Sequence, residues 1–594
     1  MKNSDIVALF LKELKIENVF GIIGSANSHI YQSILELGYT KIINVHHEQA
    51  AVMAMGSYHR ASGKISACIV TAGAGATNAI TGVVSNWADS IPGIVISGNE
   101  SSYYIKDHKN LRMYGTQGFN VVKMVSDVTK YGSIILEDSD LQRELEKAYS
   151  HSITGRPGPT WIDIPFNIQS QESEIRNWNL ENIEKHEDFD TNLLIELINN
   201  SKRPLILGGN GVRLSNAQKD FNLFVKNTGI PTCLSWSGID LLPSSDKNFM
   251  GRFGIYGQRA ANFIVQNSDL LIVLGSRLAL PQTGYDLSAF AKKAQIVIID
   301  IEEELQFPKD KIKKHFKIDC KLFLEVLNKN ARIIKEVRED WIKFCNKIKS
   351  DYPLTLKEYN TSSYINSYNF IDSLSNHLKD EHIIVTDMGT ALLSGHQSIK
   401  LNENQKMFTS LGLGEMGYGL PGAIGAAFSS PNKDVLCLNC DGGIMMNIQE
   451  LQTIIENDLN IKIVIFNNDG YLMIKHTQKM LFNGNYNSVN KKTGIGLPNF
   501  KKVFKAFGYD YFELKEIENI NDTLESFLNS KTQAVLEVFM DPEQDFIPKV
   551  KGVLMDDKSI LSLPLEDMSP LLTLNEIEHN MISGISEKSK IVKR

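Results

Sequence analysis

Two short apolar runs in the last third of the chain each end in residues that bind hard cations. One run ends in Asp-Gly-Gly at 441–443, and the next ends in Asn-Asp-Gly at 468–470. If the runs are neighbouring parallel strands, both ends lie at the carboxyl edge of a sheet, where open α/β sheets bind ligands. The Asp441 carboxylate, the Asn468 amide oxygen and the Gly470 carbonyl would suit Mg²⁺, which prefers oxygen ligands and substrate phosphate. The glycines would let a diphosphate approach the backbone, although both sequences also occur in ordinary strand-end turns.

A second candidate group surrounds Glu48, at a predicted junction between a strand and a helix. The helix dipole alone favours a glutamate in the first helical turn. Because residues 50–55 are almost wholly apolar, we expect the carboxylate to enter a buried setting, as carboxyls that transfer protons often do. The neighbouring His46 and His47 do not predict a metal site, since adjacent strand residues point to opposite faces.

Composition limits the classes of function. The chain has 594 residues, a net charge of −7 and no basic stripe, so we expect several domains and no nucleic-acid partner. Its six cysteines include no CxxC pair, which is typical of reduced thiols in a cytoplasmic protein. No apolar run reaches the roughly 18 residues of a membrane span, so we expect neither a signal peptide nor a membrane segment.

The elements that must hold these groups are predicted by the alternation of short β-branched runs with helical patterns. That alternation indicates an α/β protein with doubly wound parallel sheets. We predict three such domains at 1–170, 188–350 and 362–545, of which the first and third could share an architecture. Residues 546–594 are polar and weakly periodic, and we expect a cover over the active site or a partly disordered tail.

The paired strand ends resemble the GDG…NN motif of thiamine-diphosphate-dependent enzymes of the acetolactate synthase (acetohydroxyacid synthase large subunit)-like family. The resemblance implies that Asp441, Asn468 and Gly470 hold Mg²⁺ against the diphosphate of thiamine diphosphate. Cys440 departs from the family pattern, which usually has glycine there, and we expect a local adjustment of the turn. Glu48 would bond the aminopyrimidine ring and so promote loss of the cofactor's C2 proton.

The resemblance extends over roughly residues 1–545 and names the three domains pyrimidine-binding, central and diphosphate-binding. The glycine-rich turn at 72–78 and the stretch 413–421 also match, and Met416 would wedge between the cofactor rings. Family members place the glutamate and the metal site on different subunits, which implies a homodimer or homotetramer with active sites at subunit interfaces. The implied cofactor-binding residues are Ser25, Ala26, Thr71, Asn78, Gly389, Thr390, Gly414, Met416, Asp441, Gly442, Gly443, Asn468, Gly470, Tyr471, Leu472 and Met473.

Within the family, the acetolactate synthase branch fits best. Gln117 falls where that branch keeps an active-site glutamine, so the implied catalytic residues are Glu48, Gln117 and Met416. Pyruvate decarboxylases have a histidine pair in this region, where the chain has Tyr114 and Gly115. The central unit resembles the domain that binds FAD in a non-redox role, but residues 278–282 replace its usual acidic stretch. Binding of FAD therefore stays open.

The resemblance implies decarboxylation of a 2-oxo acid, with pyruvate expected, and carboligation of the remaining fragment to a carbonyl acceptor. Thr477 stands where acetolactate synthases carry a tryptophan, and Ser25 where they often have glycine. Together with 564–568 in the tail, these departures favour an alternative, two-carbon transfer to a keto sugar in surface-polysaccharide biosynthesis. Simple decarboxylation is a further alternative.

Two readings belong to other classes of protein. A nicotinamide dehydrogenase fails on spacing, because Leu214 stands where the G-x-G-x-x-G fingerprint of residues 209–214 needs its last glycine. A non-catalytic assembly subunit that keeps the fold would be supported only by Cys440.

Overall fold

A computed structural model describes residues 1–107, 111–136, 140–180, 189–330, 338–356, 359, 363–555, 560–592 and 594. Three six-stranded sheets, with parallel pairing throughout, form the framework. The inner strands of each sheet are short, mostly apolar runs buried on both faces, as expected where helices cover both sides of a parallel sheet, while several edge strands are partly exposed. The predicted fold class is confirmed.

The first sheet has the strand order β2-β1-β3-β4-β6-β5. Its strands are β1 (Asn18–Gly21), β2 (Lys41–Asn44), β3 (Ala67–Val70), β4 (Gly93–Asn99), β5 (Tyr131–Ile134) and β6 (Pro159–Pro165). Its helices are α1 (Asn3–Glu13), α2 (Ser28–Leu37), α3 (Glu48–Ser62), α4 (Ala74–Asn78), α5 (Ile80–Ala88), α6 (Ser102–Asp107), α7 (Val121–Met124), α8 (Leu141–Ile153) and α9 (Phe166–Ser170).

The central sheet has the order β12-β11-β10-β7-β8-β9, which is the 3-2-1-4-5-6 order of dinucleotide-binding folds read in the opposite direction. Its strands are β7 (Pro204–Gly208), β8 (Thr232–Leu234), β9 (Phe249–Arg252), β10 (Leu270–Leu274), β11 (Gln295–Asp300) and β12 (Ile312–Lys317). Its helices are α10 (Asn192–Asn200), α11 (Asn210–Leu214), α12 (Gln218–Thr228), α13 (Arg259–Asn267), α14 (Leu280–Thr283), α15 (Cys320–Lys329) and α16 (Glu339–Asp351).

The third sheet has the order β14-β13-β15-β16-β18-β17, which repeats the topology of the first sheet. The expectation that the first and third units share an architecture is thus confirmed. Its strands are β13 (Ile383–Thr386), β14 (Lys406–Phe408), β15 (Val435–Cys440), β16 (Ile461–Asn467), β17 (Asp510–Leu514) and β18 (Ala534–Phe539). Its helices are α17 (Ser367–His377), α18 (Thr390–Ser398), α19 (Gly419–Ser429), α20 (Glu450–Glu456), α21 (Leu472–Phe482), α22 (Phe500–Ala506) and α23 (Ile520–Leu528).

The first and third units meet through α3 and α19, which pack at backbone distance. A Cβ added to Gly425 would lie 2.1 Å from the carbonyl oxygen of Ala54, so a glycine is required at that crossing. The Ser57 hydroxyl donates to the carbonyl of Gly422 at the same contact. The close approach fixes the orientation of the two sheets whose carboxyl edges carry the candidate residues.

The tail packs against the central unit. It contains the hairpin of β19 (Gly552–Leu554) and β20 (Ile560–Ser562) and the helices α24 (Leu574–Asn580) and α25 (Glu587–Lys590). Leu565, Met568 and Ile577 are buried in the hydrophobic core of the central unit. Arg259 on α13 donates to the carbonyl of Pro570 over 2.7 Å. The tail thus completes the central core, and a role as an active-site cover in the assembled protein stays a prediction.

The state of the cysteines and the character of the helices were also predicted from the sequence. All six cysteines are buried and free. Within the described ranges, no helix combines the length and apolar character needed to cross a membrane.

The crossing of α3 and α19 yields a stability prediction. Gly425→Ala should lower the melting temperature by about 5 °C or more, because overpacking a backbone contact typically costs about 1–3 kcal/mol. Gly496→Ala is a matched control, since a Cβ added to Gly496 meets no atom within 4 Å. Thermal unfolding followed by circular dichroism measures both variants. Equal melting temperatures for the two would contradict the proposed close packing.

Candidate active site

The strand ends that the sequence singled out lie at the topological switch point of the third sheet. The order reverses between β13 and β15, and such a crevice outside the strand ends is where open α/β sheets bind ligands. Asp441 follows β15, and Asn468 follows the neighbouring β16. The parallel pairing of these two strands therefore brings the predicted metal ligands together.

Asp441 joins the ends of both strands through backbone hydrogen bonds. Its Oδ1 accepts from the N–H of Gly442 over 2.7 Å. Its Oδ2 accepts from the N–H groups of Asn468 and Gly470, each over 3.0 Å. The carboxyl is fully buried, and burial raises its pKa to about 7. No ion pair in the described part of the chain compensates this carboxylate.

Asn468 and Gly470 complete the predicted ligand set. The Nδ2 of Asn468 donates to the hydroxyl of Thr390 over 3.0 Å, while its Oδ1 is buried without a hydrogen-bond partner in the part of the chain that the structure describes. Gly470 has φ +121°, and a Cβ there would lie 2.0 Å from the carbonyl oxygen of Val489. A buried carboxylate, an unpartnered amide oxygen and a loop carbonyl are the donor set that a hard divalent cation needs.

The glycines after Asp441 form a cradle that side chains would fill. A Cβ on Gly442 would lie 2.3 Å from the ring of Tyr471, and one on Gly443 would lie 2.7 Å from Oδ2 of Asp387. Leu472 and Met473 begin α21 directly after Tyr471. Neighbouring side chains thus leave room only for glycine at both positions of the loop where the sequence predicts a diphosphate.

Cys440 is accommodated without loss of this cradle. Its thiol donates to the carbonyl of Met388 over 3.2 Å and accepts from the N–H of Ala391 over 3.3 Å. A Cβ on Gly389 would lie 3.3 Å from the sulfur, so the thiol lies beside the glycine that precedes α18. Cys440 therefore fills the space between β15 and the start of α18.

Asp387 positions the segment that carries Met416, a role that sequence reasoning missed. Both carboxylate oxygens of this buried residue accept from the N–H of Gly417 over 3.0 Å. Gly414 has φ +74°, so the chain turns sharply just before the half-buried Met416. The only available signal was an aspartate that directly follows the strand 383–386.

The first sheet gathers a second cluster at its own switch point, between β1 and β3. Glu48 is the first residue of α3 and is 8% exposed, as expected for a buried carboxylate. Asn78 Nδ2 donates to Glu48 Oε2 over 3.0 Å. A Cβ on Gly75 would lie 3.3 Å from Glu48 Oε1 and 2.8 Å from Thr71 Cγ2. Glu48, Thr71 and Asn78 therefore form one polar pocket.

The remaining predicted residues of the first unit border that pocket. A Cβ on Gly24 would lie 2.4 Å from the hydroxyl oxygen of Thr71, which places the adjoining Ser25 and Ala26 beside it. Gln117 is exposed and lies against Gly73, whose added Cβ would be 3.0 Å from that of Gln117. No hydrogen bond in the parts of the chain that the structure describes joins this cluster to Asp441 or Asn468.

A hydrogen-bond network that the sequence did not reveal holds the exposed loop of Gln117 to the buried Asn99 and Asp163. Glu100 Oε1 accepts from the N–H groups of Thr116 and Gln117, each over 3.0 Å. Asn99 Oδ1 accepts from the N–H of Glu100, and Asn99 Nδ2 donates to Asp163 Oδ2 over 2.6 Å. Burial raises the pKa of Asp163 to about 7. These residues are far apart in sequence, so no local pattern predicts the network.

A cavity of about 480 Å³ lies at the topological switch point of the central sheet and is also lined by residues of the first and third units. Gly211 and Gly275 line it, and a Cβ on Gly211 would lie 2.6 Å from the Cα of Gly275. Asp300 ends β11 at the rim, and Arg156 and Arg277 are further lining residues. Glycines, a strand-end acid and cations are the groups that bind a dinucleotide in folds of this order.

The loop of Gln117 yields a testable prediction. Glu100→Ala should speed hydrogen exchange of the Thr116 and Gln117 amides by about tenfold, because a charged acceptor is worth roughly 1.5–3 kcal/mol. Glu100→Gln keeps an acceptor oxygen and should fall between the wild type and Glu100→Ala. Hydrogen exchange measured by mass spectrometry on peptides spanning 111–120 checks this. Unchanged exchange in Glu100→Ala would show that the carboxylate does not hold the loop.

Three family models match the chain, one for each sheet. "Thiamine pyrophosphate enzyme, N-terminal TPP binding domain" matches residues 1–124. "Thiamine pyrophosphate enzyme, central domain" matches residues 191–327. "Thiamine pyrophosphate enzyme, C-terminal TPP binding domain" matches residues 387–538.

Curated relatives match over nearly the whole chain. The acetolactate synthase large subunit of Lactococcus lactis is 30% identical, with 94% of this chain and 96% of the relative covered. The large subunit of acetolactate synthase isozyme 2 of Escherichia coli is 28% identical, with 93% and 97% covered. The chloroplastic acetolactate synthase of Arabidopsis thaliana is 29% identical, with 92% and 83% covered.

Proposed function

The chain belongs to the thiamine pyrophosphate enzyme family, and from that premise we propose that it is a Mg²⁺-dependent 2-oxo acid decarboxylase and carboligase. The donor we propose is pyruvate, and the acceptor is a second carbonyl compound. One observation carries the proposal. Asp441 accepts the backbone N–H groups of Asn468 and Gly470, and the side-chain oxygen of Asn468 is buried without a hydrogen-bond partner in the described structure.

The residues of the third sheet fit a metal and a diphosphate. Asp441, Asn468 and the carbonyl of Gly470 would hold Mg²⁺, whose charge offsets the buried carboxylate. The backbone at Gly442, Gly443, Gly389 and Thr390 would receive the diphosphate. The N-terminus of α18 begins at Thr390, and a helix N-terminus favours negative charge.

Thiamine diphosphate, when bound, supplies a carbon centre that adds to the 2-oxo acid carbonyl and accepts the electron pair as CO₂ leaves. Glu48 would hold the aminopyrimidine ring and exchange a proton with it, oriented by the hydrogen bond from Asn78. Met416 would fill the space between the two rings. Gln117, on the loop fixed by Glu100, would orient the substrate.

A homodimer or homotetramer completes the proposal. The Glu48 and Asp441 clusters belong to different sheets of the chain, and large apolar residues beside both are exposed. Ile23 near the first cluster is 57% exposed, and Leu413 and Ile474 near the second are 40% and 46% exposed. Exposed apolar groups around a polar site indicate a surface that a partner covers. A second copy would bring one chain's Glu48 to the other chain's Asp441.

The central cavity supports FAD as a further ligand of this chain. Its volume of about 480 Å³ is within the range of cofactor pockets. Asp300 would accept from ribose hydroxyls, and Arg156 or Arg277 would face a diphosphate. We propose a role in structure rather than in electron transfer, as the resemblance implies.

A keto sugar is the alternative acceptor. Thr477 on α21 is exposed, and its hydroxyl donates to the carbonyl of Met473 over 3.2 Å. A threonine leaves more room at this position than the tryptophan of acetolactate synthases. The extra space favours an acceptor larger than a second pyruvate.

The central test combines binding and turnover. Titration of thiamine diphosphate into the purified chain with Mg²⁺ should release heat, and pyruvate should yield CO₂. Glu48→Gln should bind the cofactor within about tenfold of the wild type but lose CO₂ release by about 100-fold or more, because general acid–base catalysis contributes that much.

Two controls sharpen that test. Removal of Mg²⁺ with EDTA, or Asp441→Ala, should abolish cofactor binding itself, because the metal bridge to the diphosphate is lost. Binding of thiamine diphosphate that depends neither on Mg²⁺ nor on Asp441 would contradict the proposed site. Binding without CO₂ release would exclude pyruvate as a donor that turns over alone.

The identity of the acceptor is tested by replacing Thr477 with the tryptophan that acetolactate synthases carry at this position. Thr477→Trp should raise the share of acetolactate formed from pyruvate and lower the yield with keto-sugar acceptors by about tenfold or more, since a steric exclusion of this kind is worth roughly 1–3 kcal/mol. Product analysis by mass spectrometry measures both. Thr477→Val is the isosteric control. Exclusive acetolactate formation by the wild type would eliminate the keto sugar.

A further inference from the structure

A group of buried nitrogen-bearing side chains lies between the central and third sheets, outside the proposed active site. We name Arg252, Trp236 and His396 the Arg252 cluster. Arg252 is the last residue of β9 and is 1% exposed, and His396 on α18 is fully buried. The Nη1 of Arg252 donates to the carbonyl of His396 over 3.3 Å, and the rings of Trp236 and His396 have centroids 5.5 Å apart. The three residues therefore lie next to one another in the interior.

Most polar atoms of the Arg252 cluster are buried without a hydrogen-bond partner in the described structure. They are the Nε and Nη2 of Arg252, the Nε1 of Trp236 and both ring nitrogens of His396. Arg252 and Trp236 can only donate. Buried donors nearly always meet an acceptor, so several unpartnered donors on neighbouring residues point to a ligand that accepts hydrogen bonds.

The charges around the cluster favour an anion. Burial lowers the pKa of Arg252 to about 9, so the guanidinium keeps its charge at neutral pH. Asp240 is the carboxylate whose charge acts on Arg252, but its Oδ1 pairs with Arg213 and its Oδ2 accepts from the N–H of Met407. Lys406 faces the same carboxylate. Three cations therefore share Asp240, and Arg252 has no carboxylate of its own.

His396 can supply a further donor. Burial lowers its pKa to about 3, so the ring is neutral at physiological pH and carries one N–H and one acceptor nitrogen. Its N–H can reach either the ligand or the carbonyl of Leu392, which also acts on the ring, and its other nitrogen can accept an N–H from the cluster. This combination of one charged and two neutral donors suits a compact monovalent ion.

We infer that the Arg252 cluster binds chloride, held by the guanidinium of Arg252 and by N–H groups of Trp236 and His396. The inference is independent of the proposed reaction. Trp236 also lines the central cavity, which gives the ion a route from solvent. The bound chloride joins β9 of the central sheet to α18 of the third sheet.

The site lies on the helix that leads to the proposed cofactor. α18 begins at Thr390, which accepts from Asn468, and carries His396 two turns later. Next to His396, the Nε2 of Gln258 donates to the carbonyl of Gln397 over 2.8 Å, so the same helix is tied to the central unit. Chloride should therefore stabilise the folded protein by fixing α18 against β9.

Thermal unfolding and diffraction test the inference on the whole protein. The melting temperature of the wild type should rise by about 3 °C or more when sodium chloride replaces sodium gluconate at equal ionic strength, because a ligand that binds only the folded state stabilises it by mass action. Arg252→Met, which fills similar volume without charge, should lose this rise. Crystals grown with sodium bromide should give an anomalous peak within hydrogen-bond distance of Arg252.

Arg259 on α13 of the same unit offers a matched control. Arg259 is also buried, but its Nη1 and Nη2 already donate to the carbonyls of Met568 and Pro570. Arg259→Met should lower stability yet keep the chloride response. Three results would each overturn the inference: equal melting temperatures in both salts, a chloride response that persists in Arg252→Met, or no bromide peak at the cluster. Water would then be the partner of the buried donors. The bromide experiment decides the matter even if Arg252→Met does not fold.

Discussion

The carboxylate of Asp441 is the interaction on which the candidate site depends. It accepts three backbone N–H groups from two different strand ends, so the loops after β15 and β16 form one unit. Burial raises the pKa of this carboxyl by more than the three donors and the nearby charge of Lys475 lower it, so the pKa rises rather than falls. The fold thus buries a carboxylate at a position where a bound divalent cation would offset its charge. Asn468 donates its backbone N–H to the same carboxylate, and its side-chain oxygen is buried with no hydrogen-bond partner among the described residues.

The first and third units share one sheet topology but hold different polar clusters. In each, the strand order reverses beside the first strand, and the polar cluster lies at that reversal. The first unit supplies a buried carboxylate that a neutral amide from Asn78 orients, while the third supplies a carboxylate held only by backbone. The backbone contact between Ala54 and Gly425 sets the relative orientation of the two units within a chain. Since each chain offers both halves, a symmetric pair of chains can form two complete sites.

Much of this arrangement could be predicted from the sequence, because strand ends and glycine turns are local patterns. Asp441, Asn468 and Glu48 stood out by their position after apolar runs, and the structure places them at the carboxyl edges of two sheets. The sequence could not predict the supports of the site. Asp163 fixes the loop of Gln117 through Asn99 and Glu100, and Asp387 fixes the loop of Met416. Such contacts join residues that no periodicity connects, so they emerge only from tertiary packing.

Helix α18 shows how the site and the central unit are coupled by electrostatics. Its N-terminus faces the diphosphate cradle, where the dipole favours negative charge, and the N–H of Ala391 is capped by the thiol of Cys440. Near its C-terminus, the guanidinium of Arg252 donates to the carbonyl of His396, where the dipole favours positive charge. One short helix therefore has the proposed anion site at its start and a buried cation at its end. Arg252 and Gln258 join its last turns to the central unit, while Thr390 in its first turn accepts from Asn468, so α18 physically connects the central unit to the proposed metal loop.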